Sequence, residues 1–355
     1  MSCHRHRFLL LVFCCLLGPA SAAHAGFISS DIKKESPLTA GDIATVTAKV
    51  NEQVAKLTGQ DVEAAKLARQ AIIDEVDLAG GGATPDFQKE YIKAVVNAVQ
   101  PLMSKSKKDQ YNAAVIIGSL AQRVEKNNVA DILAPQVKQM LASKDNFVNY
   151  WAIKASRYVL AATVANTGKD GGLSKLIVDE VKKGDNAGVM AEEAYNALAL
   201  DPLKGGNGQV KQAGITAGML MDLLEWRISL YKAGSPPPNP PAERTATTFL
   251  SFNGWNALST NPADRDRAMK DIGDLACSQL NALSLGYEAD LADAAAGTGF
   301  SIGALALHFN NDVDLNNAAA VFKSISPNMD TSKMTGGCET VKSAFKKHNI
   351  EISAP

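Results

Sequence analysis

The chain has 355 residues, 46% of them hydrophobic and 21% charged, with a formal net charge of −1. That balance excludes a disordered chain and supplies apolar side chains for one or two sizeable cores. It also excludes nucleic-acid binding by charge, because the tight basic runs, Lys105-Ser106-Lys107-Lys108 and Lys346-Lys347, are too short to displace a counterion atmosphere and read as solvated helix ends.

At the start, Arg5 and Arg7 precede an apolar run over 8–17, and Ala20-Ser21-Ala22 and Ala23-His24-Ala25 offer small-residue cleavage sites. Residues 1–25 therefore read as a secretory signal peptide, and the mature chain is expected in a periplasm or outside the cell. The run falls short of the ~20 residues a spanning helix needs, and no transmembrane helix is expected in the mature chain. Cleavage removes two arginines and no acid, moving the charge to −3, and takes Cys3, Cys14 and Cys15 with it. The remaining Cys277 and Cys338 either bridge the terminal helices or stay as two buried thiols.

The next stretch, 27–77, reads as two helices. Thr39 to Asp42 opens the first, whose stripe is Ile43, Val46, Val50, Val54 and Leu57; Asp61 caps the second, with Val62, Ala65, Leu67, Ala68, Ile72 and Val76 expected on its inner face. Gly80-Gly81-Gly82 follows as a flexible connection, since it lacks the Gly-Lys-Ser or Gly-Lys-Thr ending of a phosphate loop and no strand precedes it.

From 105 to 200 one pattern appears three times: a polar turn with Asp109, Asp145 or Asp185, then an Ala-rich amphipathic segment. The aspartates, 36 and 40 residues apart, are expected to cap each segment. Second helices over 87–103, 129–141 and 173–182 lie between them. A pair this short cannot cover its own apolar face, so stacked hairpins are the economical arrangement. The run Leu133-Ala-Pro135-Gln-Val137-Lys-Gln-Met140-Leu141, followed by Asp145-x-x-Val148-Asn149 and Ala152, resembles the HEAT repeat over 87–200. It departs from that pattern at Asn149, where the family has Arg, so the Asp–Arg ladder between units is lost. The resemblance implies scaffolding rather than catalysis.

A helix is expected over 210–231, dense in apolar residues but carrying Asp222, Glu225 and Arg227, so it reads as core rather than membrane. Pro236 to Pro241 reads as a stiff spacer within a linker over 235–241. Helices over 245–258, 262–283, 288–308, 315–324 and 338–348 make up a C-terminal module, 242–355.

Chemistry finds little purchase. Asn310 to Asn316 alternates oxygen ligands but lacks the Gly and Glu of a calcium loop, so it reads as a capping turn. Gly299-x-x-x-Gly303 reads as close helix packing. Histidine is nearly absent from the mature chain, leaving His308 and His348 beyond the cleavage region. Of two candidate carboxylate pairs, Glu192-Glu193 cannot face the same way whereas Asp290-x-x-Asp293 can, and Asp290 and Asp293 carry the alternative of a hydrolase or lyase.

The fold expected is all-α, an α-α superhelix of stacked hairpins over 26–234 followed by the smaller module. The function expected is a non-enzymatic scaffold that binds a protein partner, with no cofactor or metal. Asn112, Asn149, Tyr150 and Glu192 are the candidate partner-binding residues, and a self-assembling envelope component is the further alternative.

Overall fold

The computed structural model describes residues 27–76, 83–124, 128–183, 187–286, 288–326 and 331–353. The expected signal peptide, the triple glycine and Asp185 lie outside the described residues. Among those described there are sixteen α-helices and no strand. In chain order they are α1 (Ser30–Lys34), α2 (Ala40–Leu57), α3 (Val62–Glu75), α4 (Pro85–Val99), α5 (Lys107–Arg123), α6 (Ala134–Leu141), α7 (Asn146–Thr167) and α8 (Leu173–Val181). Then come α9 (Ala187–Leu198), α10 (Ala217–Lys232), α11 (Glu243–Thr248), α12 (Trp255–Leu258), α13 (Pro262–Leu285), α14 (Ala289–His308), α15 (Val313–Lys323) and α16 (Thr331–Lys346). The fold class is all-α. No described helix is long and apolar enough to cross a membrane.

Local chemistry sets the helix starts. Thr39 and Asp42 form a reciprocal capping box on α2, and Asp61 accepts from Ala64 N (3.0 Å) at the head of α3. Asp145 caps α7 as expected, accepting from Phe147 N (3.0 Å) and Val148 N (3.4 Å). Asp109 does not cap α5. Ser106 does, accepting from Asp109 N (3.3 Å), so Asp109 stands in the first turn and its spacing to Asp145 is not a spacing between caps.

Helix packing forms two rows. In one, α3 packs on α5, α5 on α7, α7 on α9, α9 on α11 and α11 on α14. In the other, α6 packs on α8, α8 on α10, α10 on α13 and α13 on α16. Contacts at both ends of the first helices fix their sense. Lys108 Nζ donates to Gly59 O just ahead of α3 (2.6 Å), and Arg123 pairs with Asp74 where α5 and α3 end (3.2 Å). The two therefore run parallel. Likewise Tyr111 meets Asp145 at the starts of α5 and α7, and Asn166 reaches Asn128 O at their ends.

Several sequence expectations need correction. Val62 and Leu67 are not inner-face residues of α3 but exposed, at 72% and 55%, while Ala65, Ala68, Ile72 and Val76 are buried. Leu67 lies two residues from Ala65, hence across the helix, and Val62 projects at the open end. The helix expected over 210–231 starts only at Ala217, after a 3₁₀ turn at Ala213–Ile215. That expected over 245–258 is broken by a π segment, Phe249–Asn253, closed by Gly254 N on Phe249 O (2.8 Å).

The Pro-rich stretch is packed rather than spanning open solvent. Pro237 and Pro240 are buried, and Arg227, fully buried on α10, donates to the carbonyls of Pro238 and Asn239 (both 3.1 Å). Its Nε donates to Glu243 of α11 (2.9 Å). Glu243 also accepts from Tyr231 (2.9 Å) and Gln279 (3.0 Å), and Thr298 donates to Gln279 (2.8 Å). This network ties α10, α11, α13 and α14 together, and its hydrogen bonds counter part of the desolvation of the buried ion pair, leaving Arg227 Nη1 without a hydrogen-bond partner. One apolar cluster runs through from Ile28 to Ile352.

Cys277 on α13 and Cys338 on α16 are joined as a disulfide, with Cα atoms 4.8 Å apart and a sequence separation of 61. In the chain-entropy treatment a loop of that length contributes about 4 kcal/mol.

Candidate partner-binding edge

Because α3, α5, α7 and α9 lie side by side with their starts together, the side chains of their first turns share one edge of the molecule. That edge carries two depressions. The first, between α3 and α5, has a volume of about 520 Å³ and is lined by Val62, Ala65, Lys66, Arg69, Lys108, Tyr111 and Asn112. The second, about 290 Å³, is lined by Ser143, Lys144, Asn146, Asn149, Glu180, Lys183 and Met190, and lies where the α6–α7 turn meets α8 and α9.

Tyr111 links the first depression to α7. Its ring lines the first depression and meets Phe147, in the first turn of α7, at a tilt with centroids 4.4 Å apart, and Phe147 continues to Trp151 at 6.4 Å. The Tyr111 hydroxyl donates to Asp145 Oδ2 (3.0 Å), which raises the phenol's pKa above its ordinary value. Apolar side chains stand out along this edge: Val62 at 72%, Phe147 at 40% and Val189 at 63% exposed. They stand on α3, α7 and α9, and singly exposed apolar residues are ordinary on a protein surface.

Polar contacts between units run along the same edge. Arg69 Nη1 of α3 donates to Asn112 Oδ1 of α5 (2.9 Å), Tyr111 of α5 reaches Asp145 of α7, and Asn149 Nδ2 of α7 donates to Ser143 O (3.1 Å) and to Glu180 of α8. Asn149, where a HEAT repeat has Arg, thus makes the link to the following unit itself. Its Oδ1 is buried without a hydrogen-bond partner. On α9, burial raises the pKa of Glu193 against the opposing pull of Lys154 and Arg157.

The four residues expected to meet a partner divide. Asn112 and Asn149 line the two depressions, yet at 5% and 2% exposure they are turned inward to hold the turns and offer a partner little side chain. Tyr150 is half-buried and stands edge-on to Trp151 (6.1 Å), and Glu192 is exposed along α9; neither lines a depression. Sequence reasoning missed Lys66, Arg69, Lys108 and Phe147 as edge residues. The available signal was Phe147 itself, an aromatic two residues after a helix cap and off the Val148–Ala152–Ala155 stripe.

The other candidate positions fall elsewhere. Asp290 and Asp293 are both exposed on the first turns of α14, without the enclosing walls that carboxylate chemistry requires. Gly299 faces Phe322 of α15 so closely that a Cβ would overlap its ring, consistent with tight helix packing. Asp312 caps α15 through Leu315 N (2.8 Å), with Asn310 and Asn311 in the left-handed region ahead of it. His308 stacks on Trp255 (5.0 Å), and His348 meets Phe309 at a tilt (4.4 Å).

No family model matches the chain, and no curated protein does. Among solved structures, the crystal structures of two engineered proteins overlay on it with a TM-score of 0.35 in each case. One is 16% identical and covers 86% of this chain and 98% of its own; the other is 17% identical and covers 90% and 86%. A likeness of that size carries no argument about fold or function.

Proposed function

We propose that the chain is an exported, HEAT-like helical-repeat scaffold that binds a protein partner through the edge formed by the first turns of α3, α5, α7 and α9. The observation that carries this reading is the exposure of Val62, Phe147 and Val189 on the first turns of α3, α7 and α9, with Tyr111 packed on Phe147 and two depressions beside them. Side-by-side packing of parallel helices at near-40-residue intervals supports the repeat reading. Export is supported by the basic, apolar and small-residue order of residues 1–25 and by the Cys277–Cys338 disulfide, which persists in oxidising compartments.

The test is affinity capture with residues 26–355 from envelope and medium fractions of the source organism, using the native chain and a Phe147→Ser/Val189→Ser variant. Both side chains are exposed, so the variant keeps its fold. One stoichiometric protein is expected with the native chain and at least about tenfold less with the variant, since interface energy concentrates in aromatic and apolar anchors. Equal recovery would remove this edge from consideration.

A second reading, self-assembly, is favoured by the outer face of α14, where Phe300 and Leu307 are 63% and 67% exposed. Sedimentation of the pure protein distinguishes it, because a monomer at high concentration excludes it.

A further inference from the structure

We infer that the depression between α3 and α5 takes an acidic peptide segment of the partner, its carboxylates on Lys66, Arg69 and Lys108 and one apolar side chain between Val62 and Tyr111. This rests on the scaffold reading and adds to it the chemistry of the partner.

The charge of the walls argues for that occupant. Three cations and no carboxylate line the depression. Glu63 at the rim pairs with Lys66 at 3.4 Å, but both side chains are more than 60% exposed, and such pairs exchange readily with a competing carboxylate. The whole chain is slightly acidic, so this patch runs against the general sign. Arg69 is the organising group. It is half-buried and held by Asn112 Oδ1 (2.9 Å), its one hydrogen bond among the described residues, which leaves the other edges of a planar donor fork for a bidentate carboxylate. Lys108 is fixed from the opposite wall by Gly59 O (2.6 Å) and retains further ammonium donors.

The floor argues for a peptide rather than a free small acid. Ala65 is buried, Val62 projects at 72% exposure, and the Tyr111 ring closes the side toward Phe147. An isolated carboxylate would leave this apolar surface wet. A segment alternating acidic and apolar side chains covers it and satisfies the cations at once. Asn112 is therefore a positioning residue, which gives its burial beside the site a purpose.

The experiment is fluorescence anisotropy with a labelled peptide of alternating glutamate and leucine, measured beside the same peptide with lysine in place of glutamate. The glutamate peptide is expected to bind, the lysine peptide not, and binding should weaken as salt rises from about 50 to about 300 mM. Arg69→Glu/Lys108→Glu should raise Kd at least about tenfold, and Arg69→Lys by less, since a point charge replaces a fork. Val62→Asp provides a variant at an exposed position that cannot disturb the core and should also repel the peptide. Equal binding of the two peptides, unchanged Kd in the charge-reversed and Val62→Asp variants, or displacement of the peptide by an equal concentration of free glutamate would each overturn the inference. If the peptides fail while the Phe147→Ser/Val189→Ser variant still loses its captured partner, the acidic chemistry alone is wrong. If that variant also keeps its partner, the scaffold edge itself falls.

Discussion

Asp271 shows how one buried carboxyl contributes to the response of the fold to pH. It lies on α13 at 1% exposure with Oδ2 unpartnered, and its pKa is pushed up to about 8, first by burial and then by the Glu225 carboxylate, against Arg267 and Lys270. The folded chain therefore keeps a proton that the unfolded chain releases near pH ~3.9. Between those values the folded state binds more protons at this site, so the contribution of Asp271 to stability is full below pH ~4 and is lost as pH rises toward 8, with a slope of up to about 1.4 kcal/mol per pH unit. Asp271→Asn should flatten this decline, which urea midpoints at several pH values between about 5 and 9 would read. Parallel profiles for the two proteins would mean that Asp271 is ionised without cost. Nothing local in Met269-Lys270-Asp271-Ile272 announces this behaviour. The same holds for Arg227, which reads along the chain as a charge that argues against a membrane helix. Its partner Glu243 is sixteen residues on, across the prolines, and only tertiary packing brings the two together.

Between elements, the closest approach along the first row is that of Gly118 on α5 to Trp151 on α7, where an added Cβ would stand 2.5 Å from the indole. Gly118→Ala should cost about 1–3 kcal/mol by overpacking, despite alanine's better helix propensity. Chemical denaturation would measure this, and an unchanged or raised midpoint would show that α5 and α7 tolerate wider spacing. The helices themselves were legible, because apolar residues at three-four spacing mark α2, α7, α8 and α13 within a few residues of their ends. Their starts were less so. Ser106 and Asp109 are both competent caps, and the choice depends on the neighbouring Leu102 turn. The π segment left no trace, since a one-residue insertion into a helical ladder keeps the apolar pattern nearly continuous.

Across the molecule, two rows of helices run from α3 to α14 and from α6 to α16, with the Pro-rich segment held inside the packing by Arg227. The Ala-rich segments at near-forty-residue intervals fall on α5, α7 and α9, which pack one on the next, because small residues let consecutive helices approach. The proposed edge left no such sign. Polarity pointed to Asn112 and Asn149, but in a helical array turn amides are needed inside to satisfy backbone and side-chain groups, and apolar side chains are what remain outside. Leu67 stands outside because it is off the Ala65–Ala68–Ile72 stripe, and Val62 because periodicity reports the face of a helix but not where its neighbour ends. On the proposed reading the partner meets the starts of α3, α5, α7 and α9. The most direct test places a photo-reactive phenylalanine analogue at Phe147 and, separately, at Phe300, then irradiates the complex with the captured protein. Cross-linking to the partner from 147 and none from 300 is the predicted result; cross-linking from 300 alone would contradict it and move the interface to α14.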